Sequence, residues 1–289
     1  MRQTFFVLFL FVIICSCNTS KKARSSAAPG VWQSTPIVID GDAKDWPSPY
    51  PSYDATAMVG YAMSNDKDNL YLTVEAGDDL TQLKILREGL TVWIDTSAGK
   101  NQSVAIHFPQ TNEDEPLQLK SEHTGTSKQD FAERAFKQKI LKALDGARRM
   151  ELDGFSGCSG AYLIKQNDDC GIVVRIGMDE YNELIWEAQI PFKAFYSKAQ
   201  LDRSDLDKTI SVCFAVKGVK KPSGGNNNNT SGTGMNNGGG MRGGGAGGMG
   251  GGGSRGGHGG GGHAATSNPY ERLFESTKTW KTFKLAFQG

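Results

Sequence analysis

The chain has 289 residues, 38% hydrophobic and 22% charged, enough for one large domain or two small ones. Lys and Arg number 32 against 31 Asp and Glu, so the net charge of +1 gives no electrostatic drive toward nucleic acid or an anionic membrane surface. Glycine, at 37 residues, is the one strong departure from average usage, and it is concentrated in a single stretch.

Arg2 and the apolar run Phe5–Ile14 lead into Ile14-Cys15-Ser16-Cys17. This reads as a secretory signal closed by a bacterial lipobox, with an aliphatic residue three before Cys17 and a small one just before it. Residues 1–16 are therefore expected to be a signal peptide and Cys17 the lipid-anchored residue. An apolar run of roughly 10–14 residues falls short of the ~20 that a membrane-spanning helix needs. Residues 17–35, small and polar, read as a flexible tether holding the folded part outside the cytoplasm, on the bacterial cell envelope.

Pro36–Asp40 is rich in β-branched residues and stops at Gly41, as a strand entering a tight turn does. Asp40, Asp42 and Asp45 crowd that turn. They either cap it through bonds to the backbone or hold a structural Ca²⁺, which takes several carboxylate oxygens from a compact loop. Trp46 is expected to plug the core. Thr56–Ser64 and Asn69–Gly77 form a hairpin around Asn65–Asp68, with Leu70, Leu72 and Val74 on one face and Tyr71, Thr73 and Glu75 on the other. The same period turns Leu90, Val92 and Ile94 inward and leaves Trp93 on the opposite face, and Ser103–Phe108 completes a second hairpin.

Ser127–Asp145 has the spacing of a helix, with Phe131, Ala135, Ile140, Leu141 and Leu144 near one stripe and mixed charges on the other side. Gly154–Gly160 (GFSGCSG) reads as a glycine-rich surface loop, because no serine in it has the spacing of a nucleophile elbow. Ala161–Lys165 and Gly171–Gly177 read as a hairpin. An extended first strand then separates Cys158 from Cys170 by roughly 25–30 Å, so a disulfide forms only if Gly154–Gly160 loops back. Cys213 is expected as a small buried hydrophobe. Asn182–Pro191 places Trp186 in the core, and Thr209–Lys217 with Lys278–Phe287 supply the closing strands. Residues 223–267 form a disordered glycine-rich insertion, since Gly224–His263 holds 22 glycines and almost nothing apolar. A long flexible loop is thermodynamically tolerable, each doubling of length costing only about 0.6 kcal/mol.

IVIDGDAKDW, DNLYLTVEAGDD, LTVWIDTSAGK and LIWEAQIPFKAF, in that order, resemble the family 9 carbohydrate-binding modules and the related DOMON-like sandwiches. The resemblance implies a mainly β fold, an antiparallel β-sandwich over residues 36–289, carrying one inserted helix at 127–145. It implies noncatalytic glycan binding, and sugar-binding members clamp their ligand between two tryptophans. Trp93, Tyr71 and Tyr61, with Glu75 and Gln102 as polar neighbours and Trp32 as a second indole, are the candidate ligand residues. Some DOMON-like relatives hold haem b between Met and His or Lys, for which Met58, Met63 and His107 are available. The remaining alternative is a structural surface lipoprotein without a small-molecule ligand. Expected partners are thus a polysaccharide and, through the lipid anchor, a membrane, with no nucleic acid.

Overall fold

The computed structural model describes residues 27–111, 126–164, 170–196, 198–221 and 270–288. Cys17 and the glycine-rich insertion lie outside them. Alternating apolar and polar residues build two antiparallel sheets. One orders its strands as Ser52–Asp54 (β1), Val59–Asn65 (β2), Asn69–Ala76 (β3), Leu184–Pro191 (β9) and Val173–Met178 (β8). The other runs Thr277–Lys284 (β11), Thr209–Val216 (β10), Leu90–Asp95 (β4), Val104–Phe108 (β5), Arg149–Phe155 (β6) and Cys158–Leu163 (β7).

The two inner faces meet in one core. Leu70, Leu72 and Val74 of β3 face Val92 and Ile94 of β4, and Tyr61 of β2 packs on Phe214 of β10 with ring centroids 5.3 Å apart. Trp186 of β9 is fully buried, and its indole N–H donates to the Phe108 carbonyl of the opposite sheet at 3.1 Å. That bond removes the penalty of burying the one polar atom of a side chain that hides about 150–250 Å². The expected antiparallel β-sandwich is thus the observed fold.

Several local expectations are corrected. The chain crosses between the sheets through a helix at Asp79–Glu88 (α1), which the sequence reading left out. Asp78 caps it by accepting from the Leu80 amide at 3.2 Å, and Gly89 ends it. The expected long helix spans Thr126–Gly146 (α2) and packs against α1. Ile140 is buried in it and Phe136, Ala143 and Leu144 face the core, but Leu141 is 57% exposed, so the apolar stripe is narrower than expected. A four-residue helix at Phe192–Phe195 (α3) follows β9.

GFSGCSG is not a loop but the turn of the β6–β7 hairpin, with a bulge between Leu152 and Phe155. Gly154, at φ +71°, takes the left-handed conformation that this bulge needs. β7 and β8 do not pair with each other; they are edge strands of different sheets. Cys158, which opens β7, and Cys170, just before β8, form a disulfide with Cα atoms 6.1 Å apart. The bridge staples the two sheets along one open side.

Ile37–Asp40 is not a strand either. Its amides are taken by carboxylates: Val38 donates to Asp45 Oδ2 at 2.9 Å, while Asp40 and Gly41 donate to Glu187 Oε2 at 3.1 and 2.6 Å. The segment lies over the outer face of the five-stranded sheet, where Ile37, Trp46, Ala62 and Tyr71 make a second, smaller core with Ile39 and Tyr50. Trp46 is buried as expected, its indole N–H bonded to Glu187 Oε1 at 2.5 Å. Residues expected in the tether are already attached to the sandwich, through the bridges Ala28–Phe283 and Trp32–Asn65. At the other end, the Val219 amide donates to the Leu273 carbonyl at 2.7 Å, so the glycine-rich insertion interrupts a closed β10–β11 hairpin.

Candidate functional site

The outer face of the six-stranded sheet carries a cleft of about 950 Å³. Strand register builds its floor. Thr91, His107 and Glu151 stand opposite one another on β4, β5 and β6, and Trp93, Ala105 and Asp153 form the next outward row. Residues in register on adjacent strands share a face and touch. Ala105 presents only a methyl group between the Trp93 and Asp153 positions, and all three line the cleft. Arg87 and Glu88 at the end of α1, Gln110 and Thr111 after β5, and Lys217 and Lys220 after β10 supply the rim.

Local bonds hold these groups in place. His107 Nδ1 is 2.8 Å from Thr91 Oγ1, Gln110 Nε2 donates to Glu151 Oε2 at 3.0 Å, and the Thr111 hydroxyl donates to the Arg87 carbonyl. Burial, reinforced by Lys217, holds the His107 pKa below its usual value, so the imidazole is neutral at pH 7. Gly89 makes room for it. At φ +77°, a Cβ there would come within 2.5 Å of both His107 Cε1 and the Pro109 carbonyl oxygen.

Trp93 is half-buried, and Lys278 Nζ lies 4.7 Å from its ring centroid. Across the sheet, Trp93 stands in register with Cys213 and Cys213 with Trp280, so Trp280 also faces outward. Cys213 between them is fully buried, and burial pushes its thiol up to about 11, which leaves it a packing group without thiolate chemistry. The outward Trp280 escaped the sequence reading. Its signal was parity: Trp280 and Phe283 are three apart, and on a strand such residues point to opposite faces.

Of the candidate ligand residues, only Trp93 lies in this cleft. Tyr71 is 1% exposed beneath the Ile37–Trp46 segment, and its hydroxyl donates to Asp66 Oδ2 at 2.8 Å. Tyr61, 6% exposed, points into the core, with Phe214 on its ring and Lys281 Nζ 5.4 Å from its centroid. Neither offers a free ring face for stacking. Glu75 is half-buried on the outer side of the other sheet, Gln102 is exposed in the β4–β5 turn, and Trp32 sits against β2.

The three aspartates of the first turn are engaged separately. Asp40 Oδ1 accepts from the Asp42 amide at 2.9 Å, Asp42 Oδ1 from the Lys44 amide at 3.1 Å, and Asp45 from the distant Val38. They shape the turn and do not converge on a Ca²⁺ position. Among the described residues no group of three or more His, Cys, Asp or Glu is placed to hold a metal. The haem ligands do not converge either. Met63 packs against the core from β2, Met58 Sδ accepts from the Tyr53 hydroxyl at 3.4 Å, and His107 faces outward on the opposite sheet.

No protein-family model and no curated protein matches this sequence. Two solved structures align with it, both of a family 9 carbohydrate-binding module from Caldicellulosiruptor kristjanssonii. The complex with glucose is 12% identical with a TM-score of 0.29, over 68% of this chain and 78% of that one. The complex with cellotriose is 13% identical with a TM-score of 0.30, over the same shares. These values transfer no residue correspondence, so the site rests on this chain's own geometry.

Proposed function

We propose that the protein is a noncatalytic glycan-binding lipoprotein of the bacterial cell envelope, and that the outer cleft of the six-stranded sheet is its binding site. The observation that carries this reading is the half-buried Trp93 indole lining one cleft with Asp153, the two in register across Ala105. A pyranose ring has an apolar face of C–H groups and an equator of hydroxyls. The first stacks on an indole, and the second donates to carboxylate and amide oxygens or accepts from amide and imidazole N–H groups. Asp153, Glu151, Gln110 and His107 stand around the indole with those capacities.

Trp280 extends the same face. It lies two strand spacings from Trp93, roughly 10 Å at ~4.8 Å each, the reach of a disaccharide. Lys278 shields the Trp93 ring in the absence of ligand and must move aside when a sugar stacks there. The envelope assignment rests on the lipobox at Cys17.

Affinity electrophoresis in gels containing soluble polysaccharides tests the reading. The native protein is expected to be retarded by at least one polymer, and Trp93→Ala to migrate as if the polymer were absent, at unchanged thermal stability. Equal retardation of both proteins, or of neither in a broad panel, would remove the basis for this site.

A further inference from the structure

The cleft has a charge pattern that a neutral sugar does not use. Arg87, Lys217 and Lys220 all sit at the end where Leu90, Phe108 and Val216 stand level with one another. Trp93 lies three residues further along β4, roughly 10 Å from that end at about 3.4 Å per residue. Lys278, over the Trp93 ring, extends the positive side toward the indole. The carboxylates Glu151 and Asp153 lie on β6, across β5 from Trp93, and Glu151 is already bonded to Gln110. One more carboxylate, Glu88, shares the cationic rim; burial raises its pKa while Arg87, Lys220 and Lys217 pull it back down, so it offsets part of the positive charge and leaves three cations against one carboxylate.

We propose that the glycan is acidic: one unit stacks on Trp93 with hydroxyls toward Asp153, and a unit one or two further along carries a carboxylate received by Arg87, Lys217 and Lys220. This rests on the glycan-binding reading above and specifies the ligand class of the same site. The polarity of the cleft selects against the alternatives. A neutral chain can accept hydrogen bonds from the cationic rim but leaves its charge uncompensated. A nucleic-acid strand also offers stacking and negative charge, but it places a phosphate at every unit and drives some of them against Asp153 and Glu151. A glycan with hydroxyls at one position and a carboxylate at another matches both ends. Guanidinium is well shaped for it, since arginine receives a carboxylate through two parallel N–H bonds.

The experiment compares polygalacturonate and alginate with hydroxyethylcellulose, using the native protein, Trp93→Ala and the double variant Lys217→Gln/Lys220→Gln. Both lysines are exposed, so the double variant keeps its fold. The native protein is expected to bind a polyuronate about tenfold or more tightly than the neutral polymer, and raised salt or the double substitution to abolish that preference. Trp93→Ala is expected to lose both polymers. An independent readout is the His107 imidazole pKa followed by NMR, which should rise when a bound carboxylate neutralises Lys217. Equal binding of neutral and acidic polymers, a preference that survives the double substitution, or binding of a single-stranded oligonucleotide instead of polyuronate overturns the acidic ligand while leaving the cleft as a binding site. Failure of every polymer to bind removes the glycan-binding reading itself.

Discussion

Glu75 shows how a single side chain that looked like a ligand group instead sets a stability profile. It lies on the outward face of β3, near Glu183 and Asp179. Burial first, and then these two carboxylates, push its pKa from 4.5 up to about 7. A carboxyl that holds its proton more tightly in the folded state loses that advantage as pH rises. The native fold therefore sheds stability between about pH 4.5 and 7, and the loss is complete above the folded pKa. Glu75→Gln, which keeps the shape and removes the charge, is expected to raise the melting temperature at pH 7–8 and to flatten this slope. Thermal melts across the pH range check it; an unchanged slope would place the titrating group elsewhere. Trp93 and Tyr71 mark a second lesson at this scale. Both point away from the core by the same two-residue period, yet one is half-exposed and the other is covered.

At the scale of elements, what covers a face decides whether it can bind anything. The segment from Ile37 to Tyr50 closes the outer face of the five-stranded sheet, held by Trp46 and two backbone amides on the buried Glu187 carboxylate. Glu187 stays compensated by these three donors although burial raises its pKa. The disulfide performs the matching task at the side of the sandwich, where β7 ends one sheet and β8 begins the other. It closes a loop of sequence separation 12, for which chain entropy gives a stabilisation of about 3 kcal/mol. Replacing both Cys158 and Cys170 by Ser is expected to lower unfolding free energy by about that amount in denaturant titration. A loss under roughly 1 kcal/mol would mean that the neighbouring contacts alone hold this side.

The strands were largely legible because each has a two-residue alternation that survives in isolation: Leu90–Asp95 and its outward Trp93 are read from six letters. The cover over Tyr71 was not legible, since periodicity assigns a face but says nothing of a segment arriving from elsewhere in the chain. The helix α1 left readable signs in the Asp78 cap and the Gly89 stop, but it is buried on most sides and so lacks a clear polar face. The cysteine pair was misjudged through the assumption that adjacent strands in sequence pair as a hairpin, whereas the chain changes sheets between them. Around the cleft, the outward direction of Trp93 was legible and the cationic rim was not, because Arg87 and Lys217 are distant in sequence and are brought to the same end through the β4–β10 pairing.

For the whole molecule, the inner faces form the core, the segment from Ile37 covers one outer side, and, among the described residues, the cleft opens on the other. The sandwich begins by Ala28, only a short chain from the proposed anchor at Cys17, so the domain would be held close to the membrane. Detergent phase partitioning of cell extracts tests the anchor: the native protein is expected in the detergent phase and Cys17→Ser in the aqueous phase, and equal partitioning of the two would rule out lipidation there. The most direct test of glycan binding at the open face is residue-resolved. Isotope-labelled protein is titrated with a soluble oligosaccharide and followed through its amide and indole N–H signals. Shifts concentrated at residues 91–93, 105–107 and 151–153 and at the Trp93 and Trp280 indoles are the expected result. Shifts centred instead on the five-stranded sheet, around Glu75 or Tyr71, would contradict it.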